Sequence, residues 1–311
     1  MATERAFDHP NKRSCQPRKY RLLRGIRRTR LCFSDPVVTF EMESCHLRLP
    51  LSHELPFYKR TFPHYAQNLG RIAFHTWQKY PDLTMIDVGA NVGDSVAVVR
   101  MFSDLPILCI EGEPRFFQIL EENTRKLPDI ELDQTFLGVK GNSIRGIAVE
   151  RGNACIHLGS GPSRANICTL SESLARHPRF ASSKLMKLDA EGFDCKIIAS
   201  EPELLQRNKP VLFFEYFPES ARNAGYKPFS VFPFLCKLGY STLLIYQNVG
   251  RYFMNLNLNQ INLLKDLHCL LVELRGFCDV AAFHKEDQDI ATNVQAAERS
   301  LRQELPNDMH P

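Results

Sequence analysis

No stretch of this sequence approaches the roughly 18 consecutive apolar residues that a membrane-crossing helix needs, and its N-terminus has no apolar core of a secretory signal. There is no Cys-x-x-Cys and no His-x(3–5)-His, so a structural zinc site has no support. The ten cysteines are irregularly spaced. Cys109, Cys195 and Cys278 fall inside apolar or helical patterns, where a thiol acts as a small hydrophobe. They read as reduced thiols of a cytoplasmic protein, not as a disulfide frame. No internal repeat is evident, and the dinucleotide signature Gly-x-Gly-x-x-Gly is missing, although one stretch comes near it.

What is present is an ordinary apolar share of 44% over 311 residues. That suits one large α/β domain with extensions, or two smaller domains. The net charge of +4 hides an asymmetry: residues 1–30 hold ten Lys or Arg against Glu4 and Asp8, so the arm carries +8 and the remainder −4. Residues 1–35 therefore read as a flexible basic arm.

From 36 to 82 the chain reads as a helical lead-in, clearest between Phe62 and Tyr80, where Tyr65, Leu69, Ile72, Ala73 and Trp77 recur at three- and four-residue steps. Short apolar strands then alternate with helical segments. Strands are expected at Thr84–Val88, Pro106–Glu111, Ile130–Val139, Lys184–Asp189 and Val211–Glu215, closed by Ser241–Gln247 and Gly276–His284. Strand–helix alternation implies a mostly parallel sheet with helices on both faces, here of seven strands with the last antiparallel. Residues 140–183 interrupt the rhythm as an insert, with a hairpin turning at Gly152-Asn153. The domain is expected to span 36–284, followed by a polar, peripheral tail over 285–311.

The near-miss is Asp87-Val88-Gly89-Ala90-Asn91-Val92-Gly93-Asp94, placed between a strand and a helix. Gly89 permits a sharp turn and Gly93 a close helix–strand approach. A dinucleotide loop would need glycine where Asn91 and Asp94 stand, and Asp94 would oppose a pyrophosphate at the helix start. S-adenosylmethionine, with its sulfonium and ammonium, suits Asp87 and Asp94 better. The next strand ends in Glu111-Gly112, and a carboxylate there can accept both ribose hydroxyls. The expected cofactor-binding set is Asp87, Gly89, Ala90, Asn91, Gly93, Asp94, Glu111, Gly112 and Asp189.

A central parallel strand should be almost wholly apolar, yet Lys187, Asp189 and Glu191 share one face by alternation at the fourth strand. Glu215 ends the fifth. Open α/β sheets bind ligands at this end, which makes Asp189, Glu191, Glu215 and Lys187 the candidate catalytic residues. The alternative for Lys187 and Asp189 is a buried structural ion pair. Asp189, Glu191 and Glu215 are oxygen ligands that suit magnesium, but nothing in their spacing demands it, and no metal is expected.

Taken together, Asp87-Val88-Gly89-Ala90-Asn91-x-Gly93, Glu111-x-x-Pro114, Lys187-x-Asp189-x-Glu191-Gly192 and Lys209-Pro210-x(4)-Glu215 resemble the FkbM-type methyltransferase family, over about residues 84–284. Thr169-Leu170 resembles that family's Thr-Leu-Asp element, with Ser171 in place of its Asp, and Glu111-Gly112-Glu113-Pro114 departs from the commoner Glu-Pro-Asn-Pro. The resemblance implies a Rossmann-like methyltransferase domain, S-adenosylmethionine as donor and O-methylation of a hydroxyl on a sugar, glycolipid or other small natural product. In the expected reaction Asp189 takes the hydroxyl proton while Glu191 or Glu215 orients the acceptor. The basic arm could touch an anionic membrane or glycolipid. Nucleic acid is not an expected partner, because the arm has almost no aromatic residues for stacking. The competing readings are a methyltransferase that clamps RNA or protein with the arm, and a non-catalytic binding module on the same scaffold.

Overall fold

From residue 36 onward the first elements are strands, where the sequence suggests helix. The computed structural model describes residues 27, 29–42, 45–139, 146–150, 153–157 and 167–303. Strands β1 (Val37–Met42) and β2 (Cys45–Pro50) pair antiparallel, from Val37↔Pro50 to Met42↔Cys45. Helices α1 (Leu55–Thr61) and α2 (Gln67–Lys79) follow. Met42, Leu47, Leu49 and Leu55 bury themselves against Val92, Ala97, Val98, Phe116 and Ile119 of the domain. The mixed apolar pieces of 36–60 thus find their partners in tertiary packing, not in a local period.

The expected alternation then appears as β3 (Met85–Val88), α3 (Asp94–Arg100), β4 (Ile107–Ile110), α4 (Pro114–Thr124) and β5 (Ile130–Asp133). Two short strands, β6 (Phe136–Leu137) and β9 (Ile167–Cys168), pair in parallel outside the main sheet. Between them β7 (Gly146–Glu150) and β8 (Asn153–His157) form a hairpin. Its register closes at Glu150↔Asn153, so Asn153 belongs to the strand and not to the expected turn. Gly159–Ser163, a glycine- and serine-rich stretch that reads as a loop, and most of the basic arm lie outside the described residues. Onward come α5 (Leu170–Arg176), β10 (Leu185–Leu188), α6 (Asp194–Ser200), α7 (Pro202–Asn208), β11 (Val211–Tyr216), α8 (Pro218–Asn223), α9 (Val231–Lys237), β12 (Tyr240–Tyr246), β13 (Tyr252–Asn257), α10 (Ile261–Glu273), β14 (Cys278–His284) and α11 (Gln288–Gln303).

The main sheet runs β13-β12-β14-β11-β10-β3-β4-β5. The pairs from β11 to β5 are parallel and those involving β14 or β13 antiparallel. It has eight strands, where seven are expected. The addition is β13, where only Tyr252, Leu256 and half of Asn257 are sheltered and Phe253, Met254 and Asn255 face outward. An edge strand with two exposed apolar side chains shows no alternation to read. The third expected strand also stops early: Asp133 is buried and held by Ser173 Oγ (2.5 Å) and Arg176 Nη2 (2.6 Å), which ends β5 before Phe136. Strands β3, β4 and β10 are buried throughout, as sheet centres covered on both faces must be. From β3 the chain moves outward to β4 and β5, then returns to β10 on the other side. The reversal opens a crevice between β3 and β10 at their C-terminal ends, where ligands bind in such sheets.

Two expectations about the ends change. Within the stretch expected as a polar, peripheral tail, α11 packs on the domain: it buries Ile290, Ala291 and Val294, and Glu298 takes both Arg71 Nε and Nη2 at 2.9 Å. In the arm, Arg27 donates to the carbonyls of Leu51 (2.7 Å) and His53 (3.2 Å), and Asp35 accepts from Ser52 N and Oγ at 2.8 Å each. Folded chain therefore begins before residue 35. Cys109, Cys195 and Cys278 are free and buried, as their apolar surroundings in the sequence suggest. Among the described residues no helix is long and apolar enough to cross a membrane.

Breaking the buried Arg71–Glu298 pair leaves one charge without its partner, so Glu298→Ala should cost about 3–5 kcal/mol in urea unfolding, whereas Arg71→Met with Glu298→Leu should recover most of it.

Candidate active site

The loop after β3 is built by left-handed backbone. Gly89, Asn91 and Gly93 stand at φ 71°, 48° and 87°. The N–H groups of Gly89 and Ala90 both donate to Ile110 O, at 2.9 and 3.2 Å. A Cβ on Gly89 would lie 1.9 Å from the carbonyl oxygen of Asp189. The bare Cα is thus required first by the neighbouring strand end, before any ligand is considered. Gly112 has a similar constraint, since its Cβ would fall 2.3 Å from the Phe136 ring. A Cβ on Gly93 would come within 3.0 Å of Leu120 Cδ1, consistent with close helix packing.

Glu111, at the end of β4, is 7% exposed. Its Oε2 accepts from Asn91 N and its Oε1 from Glu113 N, both at 2.8 Å. Burial pushes its pKa up to about 7 against the opposing effect of these two donors. Each oxygen keeps a second lone pair, and the carboxylate borders the crevice.

Lys187 is a centre of support beneath the crevice. Its Nζ lies 3.1 Å from Asp87 Oδ1, 2.9 Å from Gly89 O and 3.7 Å from Asp189 Oδ2. Burial alone would lower its pKa, but Asp87, Asp189 and Asp94 outweigh that and hold it above the ordinary value. Asp87 is fully buried and also accepts from Ser95 Oγ. Neither Lys187 nor Asp87 opens onto the crevice, so both act from below. The tighter partner of Lys187 is Asp87, not the Asp189 suggested by its own strand.

Above them lies an acidic edge. Asp189 has a half-exposed side chain at the mouth. Glu191 stands at φ 51° just beyond β10, so a turn and not strand alternation brings it to the crevice. Asp194 fixes that turn, accepting from Ala190 N (3.0 Å) and Gly192 N (3.1 Å). Burial, followed by repulsion from Asp189, raises Glu191 to about 8 and Asp194 to about 6. Glu215 is the direct cross-strand partner of Asp279, and burial drives both well above the usual carboxylate range. A buried pair of like charges on one face favours retained protons.

Of the expected residues, Gly89, Asn91, Glu111, Gly112, Asp189 and Glu191 border one crevice. Ala90 is buried behind it; Gly93 and Asp94 begin α3; Glu215 lies one strand further along. Sequence reasoning misses Thr135, Phe136 and Leu137, which also line the crevice. Their position just past a parallel strand was the available signal. It also misses Asp279, an acid inside the apolar run 278–284. Two more come from the lead-in. His53 lies near Asp94 and Asn91. Burial, with Asp94, Asp189 and Asp279 close by, raises the Tyr65 hydroxyl well above its usual pKa. Thr169 caps α5 in a reciprocal box with Glu172, and Ser171 bonds Glu201, so the Thr-Leu-Ser element is built as helix start. Among the described residues, no three His, Cys, Asp or Glu gather in a way that could hold a metal ion.

No family model and no curated protein matches the chain. Among solved structures it is similar to the precorrin-6y C5,15-methyltransferase of Geobacter metallireducens GS-15, with 11% identity and a TM-score of 0.34 over 66% of this chain and 80% of that one. It is similar to the methyltransferase FkbM of Methylobacillus flagellatus KT, with 12% identity and a TM-score of 0.39 over 65% of this chain and 44% of that one. A third is M. jannaschii TYW2 in complex with AdoMet, with 11% identity and a TM-score of 0.41 over 81% of this chain and 87% of that one. The chain therefore spans less than half of the FkbM structure, and its resemblance to that family rests on the motifs.

Two outcomes test this geometry. Gly89→Ala should lose at least about 1 kcal/mol from the left-handed backbone alone, with the contact to Asp189 added, as read by chemical unfolding. Glu191 holds a proton in the folded state up to about pH 8 and releases it near the ordinary glutamate value of 4.5 when unfolded. Its contribution to stability is complete below the lower value and is lost as pH rises through the upper one. The thermal midpoint of the wild type should fall across that window, and Glu191→Gln should fall less.

Proposed function

We propose that this protein is an S-adenosylmethionine-dependent methyltransferase of the FkbM type, acting on a hydroxyl of a sugar, glycolipid or other small natural product. The observation that carries the reading is the crevice at the sheet's reversal point. There the glycine loop, a diol-directed Glu111 and carboxylates converge, with Asp94 where a pyrophosphate would need open helix N–H groups.

The residues fit such a donor. Gly89 and Gly112 leave bare backbone beside the crevice. Glu111 offers lone pairs to a ribose diol. Phe136 and Leu137 form an apolar wall for a purine. Asp189 and Glu191 face a cation better than an anion. When bound, the donor supplies a methyl group on a positively charged sulfur.

The protein's task is then alignment and removal of one proton. Asp189, at the open mouth, is the base for the acceptor hydroxyl. Glu215 and Glu191 retain protons near neutrality by burial, and so are suited to donate hydrogen bonds that orient the acceptor. Lys187 is assigned to support: it fixes Asp87 and the Gly89 carbonyl, and steadies Asp189. A cytoplasmic setting agrees with the free thiols. Contact between the arm and an anionic membrane or glycolipid remains part of the proposal. Arg27, one of the arm's ten basic residues, is spent on the 51–53 turn and not offered to a substrate. This favours a small acceptor over RNA or protein clamped by the arm.

Titration calorimetry with S-adenosylmethionine should show binding at one site. Asp189→Asn should retain that binding yet lose at least about a hundredfold in methyl transfer, measured with labelled donor across sugar and glycolipid acceptors. Absence of binding by the wild type would sink the donor, and near-normal turnover by the variant would sink the base.

A further inference from the structure

A second cavity, of about 390 Å³, lies where the edge of the sheet meets α11. Its walls are β12, β13, the turn before α10 and α11 itself. No lining side chain is charged, although 24% of the chain's residues are. Leu244 and Ala291 give it a buried apolar part; asparagine, glutamine and threonine supply most of the rest. Thr242 pairs with Asn257 toward one end of β12, while Tyr246 at the other end pairs with Asp279 in the acidic edge. The cavity is therefore set away from the crevice and shares no residue with it.

Hydrogen bonds decide which end of each amide is already spent. Asn257 Oδ1 accepts the Asn259 N–H at 3.1 Å, and Gln260 Oε1 accepts the Asn257 N–H at 2.7 Å. A backbone N–H only donates, so the oxygens are assigned and the NH2 groups are left over. Asn255 Oδ1 accepts the Tyr252 hydroxyl at 3.4 Å, and that hydroxyl accepts from Gln295 Nε2 at 2.7 Å. Thr242 spends its hydroxyl hydrogen on Gln288 Oε1 (3.0 Å), and Thr292 spends its own on the Gln288 carbonyl (2.8 Å). Among the described residues no group takes the NH2 hydrogens of Asn255, Asn257 or Gln260. The lining thus keeps amide donors at 255, 257 and 260, and acceptor oxygens on Gln295, Thr242 and Thr292.

We propose that this cavity is a binding site for a neutral saccharide. A phosphate or carboxylate would find no cation in the lining, and an ammonium no anion. An apolar ligand would leave the amide donors without partners. A sugar hydroxyl both gives and accepts a hydrogen bond, as the mixed set of donors and acceptors requires. The C–H face of a sugar ring suits Leu244 and Ala291. The volume falls within the range of small-molecule sites. The site goes beyond the donor reading and does not rest on it, since it uses another part of the sheet and needs no S-adenosylmethionine.

The test uses the full chain, isotopically labelled so that side-chain NH2 signals are followed by NMR. Glucose, N-acetylglucosamine and maltose are titrated in turn. At least one should bind with a dissociation constant of about 1 mM or below, moving the signals of Asn255, Asn257 and Gln260. Asn257→Asp and Gln260→Glu keep the oxygen that holds the backbone N–H and remove only the donor. Each should stay folded and bind about tenfold more weakly, the loss of one hydrogen bond. Asn255→Asp, which keeps the oxygen facing Tyr252, decides the matter if those two variants unfold. Sugar that moves the Gly89, Gly112 and Glu191 backbone signals and leaves these amides still would be an acceptor in the crevice, and would overturn the second site. So would amides unmoved by every sugar, full affinity in the variants, or shifts produced by protein concentration alone. Failure to bind S-adenosylmethionine would strike the donor reading and leave this one standing.

Discussion

The ammonium of Lys187 is the point on which the site depends. It is the cation placed among Asp87, Asp189 and Asp94, and its Nζ also holds the Gly89 carbonyl at 2.9 Å. Remove it and Asp87 becomes an uncompensated charge inside the sheet, at a cost that buried carboxylates do not tolerate. The same contact draws the loop after β3 against the end of β10. That closeness is why Gly89 can carry no side chain. The conformation of the glycine loop, the placement of Asp189 and the burial of Asp87 are consequences of one amine at the centre of a parallel sheet.

A single cation does not balance the acids gathered above it. Asp189, Glu191, Asp194, Glu215 and Asp279 stand along consecutive strand ends, and burial lifts Glu191, Asp194, Glu215 and Asp279 above the usual carboxylate range. Such an edge is held by protons in the absence of a ligand. A cation entering the crevice would meet Asp189 at its open mouth and offset the repulsion along this edge. The proposed donor suits this edge: positive beside the acids, with its diol assigned to Glu111 and its ring to Phe136.

The parts of the fold legible in the sequence are those with a local signature. Buried parallel strands read as apolar runs at 85–88, 107–110, 185–188 and 211–214, and an acid or amine in such a run announces itself. Glu111, Lys187 and Asp189 stand out in this way. The roles were less legible than the positions. Lys187 shares its strand's face with Asp189, but its tighter partner, Asp87, lies across the sheet in β3. Glu191 reaches the crevice because the backbone turns left-handed at 191, not because strands alternate. Edge strand β13 and hairpin β1–β2 escaped notice because their side chains are sorted by partners far away in sequence.

The sequence by itself determined the alternating α/β order, the glycine loop and the chemical character of the sheet's C-terminal edge, because each follows from residue type and short-range spacing. Only the tertiary structure decided which charges pair, how many strands the sheet has, and that His53, Tyr65, Phe136 and Asp279 belong beside Glu111 and Asp189. The physical reason is that burial and long-range contact set both a carboxylate's proton and a loop's conformation, and neither is a property of neighbours along the chain.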